Sequence, residues 1–331
     1  MDEVTINAPA RLHLGFVDLN GNLGRRFGSL GVAITGIETC LRVSTSPNVT
    51  AAENVHEQAR AEAAAESICA HLRLKDRPSL QLKSVIPPHA GLGSGTQLAL
   101  AVGRGIATLV QNPITTKEIA ALTGRGARSA IGIGVFDSGG FVVDAGRGEY
   151  TDVPPQLVRV DFPTDWPIIV LSDSRFVGIS GSEEKNAFKK LAPMRDELAG
   201  SLCRHTLLGV IPAVMERDFA SFSNSLGFIQ EAIGDYFAPF QGGQRFTSHS
   251  IGNIARAVKR EWAQVVIGQI SWGPTGFIVC PNDELAAEIE NAYSSGALGE
   301  PADRTVSLSV HRARNSGAAV MCGSQKPMSI A

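Results

Sequence analysis

The chain has 331 residues, of which 44% are hydrophobic and 19% charged, enough to build two packed layers or two domains. Thirty basic and thirty-two acidic residues give a formal net charge of −2, which argues against a dedicated nucleic-acid or anionic-membrane surface. The five cysteines show no CxxC pair or metal-ligand spacing, so we expect reduced thiols, no structural zinc and a cytoplasmic location. The N-terminus has no signal pattern and Arg104 interrupts the best apolar stretch, so neither secretion nor membrane spanning is expected.

The first half alternates short β-branched stretches with helical ones, which predicts an α+β layer. A long helix is predicted over 51–74, a strand over 79–83 and a second helix over 116–123. Glycines and prolines between 145 and 167 indicate a connector. We therefore predict a boundary there, which gives domains 1–160 and 161–331.

The second half is predicted to begin with a buried strand and to continue with helical segments across about 183–260. The chain then returns to β-structure, and residues from 317 onwards are expected to be frayed. The remaining predicted elements are strands at 168–171, 265–267, 276–279 and 305–310 and a helix at 283–294.

The most informative segment is a glycine-rich turn at 87–97 that leads directly into an apolar helix. Glycines let the backbone approach an anion, hydroxyl groups add donors, and the free amides of a first helical turn carry partial positive charge. Neither a GxxxxGK[ST] nor a GxGxxG pattern fits it, and a tight capped turn without a ligand is the alternative interpretation. The residues predicted to bind phosphate are Gly91, Gly93, Ser94, Gly95, Thr96 and Gln97.

Motifs along nearly the whole chain resemble one family. The turn resembles P-x-x-x-G-L-G-S-[SG], the phosphate loop of the GHMP kinase superfamily, and segments 8–16, 18–31, 125–140 and 271–276 resemble a non-kinase branch of it, the β-ribofuranosylaminobenzene 5'-phosphate synthases. The resemblance implies an α+β, GHMP-kinase-like two-domain fold. Its N-terminal domain is a ribosomal-protein-like α/β domain, its C-terminal domain is a ferredoxin-like α+β domain, and the ligand cleft lies between them.

The resemblance also implies a reaction. Phosphoribosyl pyrophosphate and 4-aminobenzoate, or 4-hydroxybenzoate, would be joined with release of CO2 and pyrophosphate, in tetrahydromethanopterin biosynthesis and one-carbon metabolism. The implied cofactor is Mg2+ and the implied assembly is a homodimer, with small-molecule substrates and no nucleic-acid or membrane partner. Two alternatives stay open: an ATP-dependent small-molecule kinase of the same superfamily, and a non-catalytic ligand sensor.

One position counts against the kinase alternative. Kinases of the superfamily have the form S-G-x-D-x-x-x-x-x-x-G-G, which resembles 129–140 here, and their aspartate is commonly assigned as the catalytic base. This chain has Gly132 at that position, so it lacks the carboxylate that would orient or deprotonate a substrate hydroxyl. Asp137 could substitute for it or could be a turn residue.

Further site residues are predicted from the N-terminal segment. Arg11, Arg25 and Arg26 could hold phosphate oxygens in a bidentate way, or could belong to a solvated charged hairpin. Asp18 and Asn20 could face Mg2+ or ribose hydroxyls, although Asn-Gly is also what a tight turn requires. Arg26, Asp18 and Asp137 are the predicted catalytic residues, and alanine at Arg26 or Ser94 is expected to weaken donor binding.

The C-terminal half supplies the remaining predictions. Ser271, Trp272 and Thr275 lie in a loop that resembles the third superfamily motif, where Trp272 could stack on an aromatic ring. Glu183 is a candidate metal ligand together with Asp18, although a carboxylate at a helix start usually serves the helix dipole. His13 is predicted to contact substrate because it lies within a matched motif, although a lone histidine is more often a structural hydrogen-bonder.

Overall fold

The first half of the chain forms two very long strands and the helices that pack on them. The computed structural model describes residues 2–46, 54–176, 188, 190–270, 273–299, 305–323 and 328–329. In chain order, the elements are β1 (Glu3–Asp18), β2 (Arg25–Ser44), α1 (Val55–Leu72), β3 (Ser79–Ser84), α2 (Ser94–Leu109), α3 (Thr116–Leu122), α4 (Ile131–Ser138), β4 (Phe141–Asp144), β5 (Arg147–Gly148) and β6 (Gln156–Val160).

The second half alternates strands with longer helices. Its elements are β7 (Ile168–Asp173), α5 (Asp196–Glu216, with a π-helical turn at Thr206–Val210), α6 (Phe219–Phe237), α7 (His249–Glu261), β8 (Val266–Gln269), β9 (Thr275–Val279), α8 (Asp283–Ser294), β10 (Val306–His311), β11 (Ala319–Cys322) and β12 (Met328–Ser329). The helix predicted at 283–294 is confirmed, and so are those at 51–74 and 116–123 apart from their ends. The predicted connector was wrong in part, because 145–167 contains β5 and β6.

The strands form two antiparallel sheets. The first has the order β12-β11-β1-β2-β4-β6, with β3 and β5 also pairing with β2, and the second has the order β10-β7-β9-β8. The predicted division at 160/161 falls between β6 and β7, which lie in different sheets. The C-terminal strands do not follow that division, because β11 pairs with β1 through Val4 and Cys322. The expectation that the tail frays from residue 317 was therefore wrong.

One apolar core packs the second sheet against α7 and α8, and two others pack strand β1 against its neighbours. Of these two, one packs the start of β1, including Val4 and Ile6, against α1 and α2. The other packs Leu12 and Leu14 of the same strand against the second sheet and α6, including Phe222. The start of strand β1 therefore contacts α1 and α2, and its later part contacts the second half of the chain. The phosphate loop lies beside Arg11, between these two parts of the strand.

One helix is long and apolar enough to cross a membrane. By length and composition this is α5, with a mean hydropathy of 1.4 in its most apolar window, of which 33% is buried. Its side chains Leu202, Val210 and Val214 belong to the same core as β1 and α6. Packing therefore accounts for part of its apolar character, and a single helix of this kind is weak evidence for a membrane span.

Candidate functional site

The predicted phosphate loop ends in an uncapped helix. Gly91 and Gly93 have φ values of +76° and +87°, a region that side chains other than glycine rarely adopt. Gly93 is the N-cap of α2 and supplies no side-chain hydrogen bond, and the first turn contains no acidic residue. The amides of Thr96 and Gln97 donate to the Gly93 carbonyl. The amides of Ser94 and Gly95 are thus left for an anion, which the positive end of the helix dipole favours.

Arg11 lies directly against this loop. Its backbone amide donates to the Leu92 carbonyl at 3.1 Å, and its guanidinium donates to the Gly91 carbonyl. A Cβ atom at position 93 would lie 3.1 Å from Cγ and 3.4 Å from Nε of Arg11. Glycine at this position therefore gives Arg11 its place beside the loop, and the structure brings these two predicted site residues together.

The space of the kinase aspartate is filled here. A Cβ atom on Gly132 would lie 2.9 Å from Cγ2 of Thr96, closer than such atoms normally approach. Gln97 also donates from Nε2 to the Gly132 carbonyl at 2.7 Å. The start of α4 is therefore held against the start of α2 by contacts that leave no room for an aspartate side chain in this arrangement.

Asp144 holds the start of α4 from the other side. Its Oδ2 accepts from the Ala130 amide at 2.8 Å and from the Ser129 hydroxyl at 3.1 Å, and its Oδ1 accepts from the Gly146 amide. Burial raises the pKa of this carboxyl, while these hydrogen bonds lower it. The sequence analysis missed Asp144, which follows the buried stretch of β4 without any motif to mark it.

His13 has a buried ring nitrogen, Nε2, without a hydrogen-bond partner among the described residues. It pairs across the sheet with Gly31, on the face of the sheet that packs against Ile131 of α4. Its side chain is 2% exposed, and its Nδ1 accepts from the Gly15 amide at 3.4 Å. Burial, and then the charges of Arg11 and Arg128, hold the pKa of His13 well below its usual value. The ring is neutral with its proton on Nε2, and this N–H group has no partner among the described residues.

Two further buried side-chain oxygens lack a hydrogen-bond partner among the described residues. Ser29 Oγ and Gln97 Oε1 have no hydrogen-bond partner within the described ranges. A buried polar atom without a partner costs about 1–3 kcal/mol, so such atoms are uncommon in folded proteins. Of these atoms, Gln97 Oε1 lies in the first turn of α2 and is available to a ligand bound at the loop.

A second loop closes over the first. The Thr275 hydroxyl donates to the Ala90 carbonyl at 2.8 Å, and a Cβ atom at Gly91 would lie 3.1 Å from Ile270 Cδ1. Ile270 is fully buried and packs against the loop. Thr275 therefore stabilises the phosphate loop from outside. The predicted residues Ser271, Trp272 and Glu183 lie outside the described residues.

The turn end of the β1–β2 hairpin is a separate place. Arg11 pairs with Ala33, whereas Asp18 pairs with Phe27. These two positions are seven residues apart, which corresponds to about 20 Å of strand. Sequence proximity had grouped Arg11 with Arg25 and Arg26, and the hairpin geometry separates them.

Asp18 and Asn20 are engaged in the turn itself. Asp18 Oδ1 accepts from the amides of Asn20 at 2.7 Å and Gly21 at 3.1 Å. Asn20 donates from Nδ2 to Asp196 Oδ1 at 2.6 Å, which ties the turn to the start of α5. These contacts favour the interpretation of both residues as turn formers.

The paired arginines of this hairpin bond to main-chain carbonyls. Arg25 donates to Ala145 at 3.1 Å and to Gly146 at 2.9 Å, and Arg26 donates from Nε to Leu19 at 3.2 Å. Four phenylalanines stand between Arg26 and His13, in contact with one another through ring centroids 5.6–6.2 Å apart. They are Phe16, Phe27, Phe188 and Phe237. We therefore do not assign Arg25 or Arg26 to the phosphate site.

Asp137 lies elsewhere. It accepts a hydrogen bond from the Thr116 hydroxyl, and Arg104 Nη2 lies 4.0 Å from its Oδ1. Burial raises the pKa of Asp137. Arg104 is ten residues along α2 from Ser94, about 15 Å along the helix axis. Asp137 therefore links α3 and α4 to the middle of α2, and the structure does not bring it to the loop.

Known proteins resemble this chain at two levels. Residues 55–143 match the family model described as "GHMP kinases N terminal domain". The structure resembles homoserine kinase from Cytophaga hutchinsonii, with a TM-score of 0.66 and 16% identity over 97% of this chain and 98% of that one. It also resembles mevalonate kinase from Methanococcus jannaschii, with a TM-score of 0.64 and 13% identity over 94% and 98% of the two chains. These likenesses show the fold.

Relatives with higher sequence identity indicate the family within this fold. Beta-ribofuranosylphenol 5'-phosphate synthase from Methanothermobacter thermautotrophicus is 33% identical over 248 residues, which cover 69% of this chain and 75% of the relative. The protein of the same name from Archaeoglobus fulgidus is 34% identical over 238 residues, 68% of this chain and 75% of that one. The chain therefore belongs to the family of beta-ribofuranosylphenol 5'-phosphate synthases, pentosyl-transferring enzymes with the two-domain α+β fold of the GHMP kinases.

Proposed function

We propose that the enzyme transfers the phosphoribosyl group of phosphoribosyl pyrophosphate to a para-substituted benzoate, with loss of CO2 and pyrophosphate. The name of the relatives denotes a ribosylated phenol, so 4-hydroxybenzoate is the acceptor we favour over 4-aminobenzoate. The observation that carries the proposal is the glycine at 132, where a Cβ atom would lie 2.9 Å from Cγ2 of Thr96 beside the glycine-rich loop. This chain has the glycine-rich loop of the superfamily kinases. It lacks the carboxylate at position 132 that a kinase would use to transfer a phosphoryl group to a hydroxyl.

The proposed reaction balances without an oxidant or a reductant. The ring carbon that bears the carboxylate attacks C1' of the ribose, and the C1'–O bond breaks with its electron pair leaving on pyrophosphate. The bond from the ring to the carboxylate then breaks, CO2 leaves, and the electron pair of that bond restores the aromatic ring. A para-hydroxyl or para-amino group donates electrons to the attacking carbon.

The residues of the site supply positive charge and hydrogen-bond donors for this step. The open amides of Ser94 and Gly95 and the guanidinium of Arg11 face anionic groups of the donor. His13 offers its buried Nε2–H as a further donor beside Arg11. Because this ring stays neutral and its Nδ1 already accepts a hydrogen bond, we assign it to binding an anionic oxygen rather than to removing a proton. Fixed donors in a buried site stabilise developing charge without reorganisation.

The described residues do not form a protein site for Mg2+. They contain no group of three or more His, Cys, Asp or Glu side chains suited to a metal ion. Asp18, one of the predicted ligands, has Oδ1 committed to two backbone amides. We propose that any Mg2+ enters bound to the pyrophosphate group of the substrate, as Mg2+ commonly does with phosphates.

The finer biological setting is part of the proposal. We propose that the enzyme serves tetrahydromethanopterin biosynthesis and one-carbon metabolism in the cytoplasm, and that it is a homodimer. Helix α5 exposes Leu207 and Leu208, which are 64% and 68% accessible, as a candidate contact between copies. Light scattering after size exclusion should give twice the chain mass, and Leu208→Glu should reduce it if this surface is the contact.

Release of CO2 tests the reaction. Purified protein is incubated with phosphoribosyl pyrophosphate, Mg2+ and carboxyl-labelled 4-hydroxybenzoate or 4-aminobenzoate, with ATP replacing the ribosyl donor as control. We expect labelled CO2 with the ribosyl donor alone, and the faster acceptor identifies the substrate. Release that requires ATP would favour the kinase alternative, and binding without turnover of either acceptor would favour the ligand sensor.

A further inference from the structure

Two arginines that the sequence analysis did not assign meet behind the phosphate loop. A Cβ atom on Gly95 would lie 2.3 Å from Nη2 of Arg60 and 3.1 Å from Nη1 of Arg125. Both guanidinium groups therefore face one point in the first turn of α2, whereas Arg11 lies against Gly93 at the N-cap of that helix. They line a cavity of about 260 Å3 between α1, α2 and the end of α3, which Ser67 and Thr123 also line.

The charges at this point are not balanced by the described residues. Arg60 donates to both carboxylate oxygens of Glu57, at 2.8 and 3.0 Å, and Glu57 is 1% exposed. Arg125 makes no side-chain hydrogen bond or ion pair with any described residue, and its Nε is buried without a partner. Burial, and then the charge of Arg60, lower the pKa of Arg125.

The helix adds to the imbalance. The start of α2 carries partial positive charge, and a cation placed there is unfavourable, whereas an anion is favourable. One carboxylate, Glu57, faces two guanidinium groups and the helix terminus. Such an arrangement costs free energy in the empty protein and is relieved when an anion of matching charge enters the cavity.

We propose that Arg60 and Arg125 bind the pyrophosphate group of the ribosyl donor, an inference that rests on the proposed function. Pyrophosphate carries more negative charge than the ribose 5'-phosphate and has two phosphate units. It can therefore contact Arg60 and Arg125 on one side of the first turn of α2 and reach the open amides of Ser94 and Gly95 as well. When the C1'–O bond breaks, these two guanidinium groups stabilise the charge that develops on the leaving oxygen.

The test uses inorganic pyrophosphate as the probe and Arg125→Gln as the variant. Arg125 is chosen because Arg60→Gln would also leave the buried Glu57 without its partner. Arg77→Gln is the matched control, because it removes the same charge from an exposed ion pair with Glu66. Calorimetric titration should show about 10- to 100-fold weaker pyrophosphate binding for Arg125→Gln and less than about a twofold change for Arg77→Gln.

A second readout distinguishes ligand binding from a structural role. Without anion, Arg125→Gln should unfold at the same temperature as the wild type or at a higher one, because one of two repelling charges is gone. With pyrophosphate, the wild type should gain thermal stability and the variant should gain little. Unchanged pyrophosphate affinity in Arg125→Gln, or a wild type that does not bind pyrophosphate, overturns the inference.

The same preparations separate this inference from the proposed function. If pyrophosphate binding depends on Arg125 but no labelled CO2 is released with either benzoate, the anion site stands and the proposed reaction fails. If CO2 is released and Arg125→Gln matches the wild type in both affinity and rate, the reaction stands and the assignment of Arg125 fails.

Discussion

The β1–β2 hairpin carries polar residues in two different states of hydrogen bonding: at its turn, and beside the phosphate loop near Arg11, a place midway along the hairpin that we call the loop end. At the turn end, Asp18 and Asn20 bond to the protein itself. At the loop end, His13 Nε2 and Gln97 Oε1 are buried and lack partners among the described residues. Polar groups that the protein satisfies itself stabilise the fold, whereas buried groups left open are retained where a ligand completes them. The contrast identifies the loop end as the binding end.

The largest expected effect on kcat/KM is that of Arg11→Gln at the loop end, and Arg26→Gln at the turn end is its comparison. Arg11→Gln removes a charge and a hydrogen bond to the Gly91 carbonyl, so kcat/KM should fall by about 100- to 1000-fold. Arg26→Gln should lower it by no more than about threefold, contrary to the expectation from sequence, because Arg26 bonds to Leu19 at the turn. Steady-state CO2 release measures both. A larger loss in Arg26→Gln would reverse the comparison.

His13→Phe should separate activity from stability at the loop end. The substitution removes the open donor and keeps an aromatic ring, so kcat/KM should fall by about 10- to 100-fold. The free energy of unfolding at pH 7.5 should change by less than about 1 kcal/mol, because losing the long hydrogen bond from the Gly15 amide to Nδ1 is offset by removing the unpartnered Nε2–H group. Urea titration and CO2 release together give the answer, and a variant that loses stability but keeps its activity would make His13 a structural residue.

Asn20→Ala should show the opposite pattern at the turn end. The change removes the hydrogen bonds from Nδ2 to Asp196 and to the Met194 carbonyl, so the free energy of unfolding should fall by about 1–2 kcal/mol. Activity measured well below the unfolding temperature should change by less than about threefold. A loss of kcat/KM comparable with that of His13→Phe would place Asn20 in the site.

The smallest effect is a pH dependence of stability that His13 contributes. The folded ring has a pKa well below 6.5, so below about pH 6.5 the unfolded chain binds a proton that the folded protein does not. Stability should therefore fall as the pH falls, by up to about 1.4 kcal/mol per pH unit. Burial also lowers the pKa of His311, which acts in the same direction. The slope between pH 7.5 and 5.5 should be shallower in His13→Phe than in the wild type, and equal slopes would contradict the prediction.

Local sequence signals predicted the elements and the loop well. Helix-forming composition indicated α1, and glycines followed by an apolar run located the loop and α2. The two-domain fold came from a resemblance that spans nearly the whole chain, and the structural likenesses confirm it. These features depend on neighbouring residues or on whole motifs, which a single sequence contains.

Features that depend on three-dimensional proximity were missed or misplaced. Arg60 and Arg125 are far apart in the chain, and each looks like an ordinary surface residue at a helix. Arg11 and Arg26 are close in sequence, but the strand between them separates their side chains. Asp137 follows Gly132 by five residues, which on a helix rotates its side chain by about 140° away from the position it was predicted to replace.

The pairing of β11 with β1 has a consequence for the order in which the protein can assemble during synthesis. Strand β1 is synthesised well before its partner Ala319–Cys322, which follows about 300 residues later. Until then one edge of β1 has open backbone groups, a state that favours pairing with another nascent chain. The first sheet can therefore close only after β11 has been synthesised, and a chain cut before β11 should aggregate rather than fold its first half.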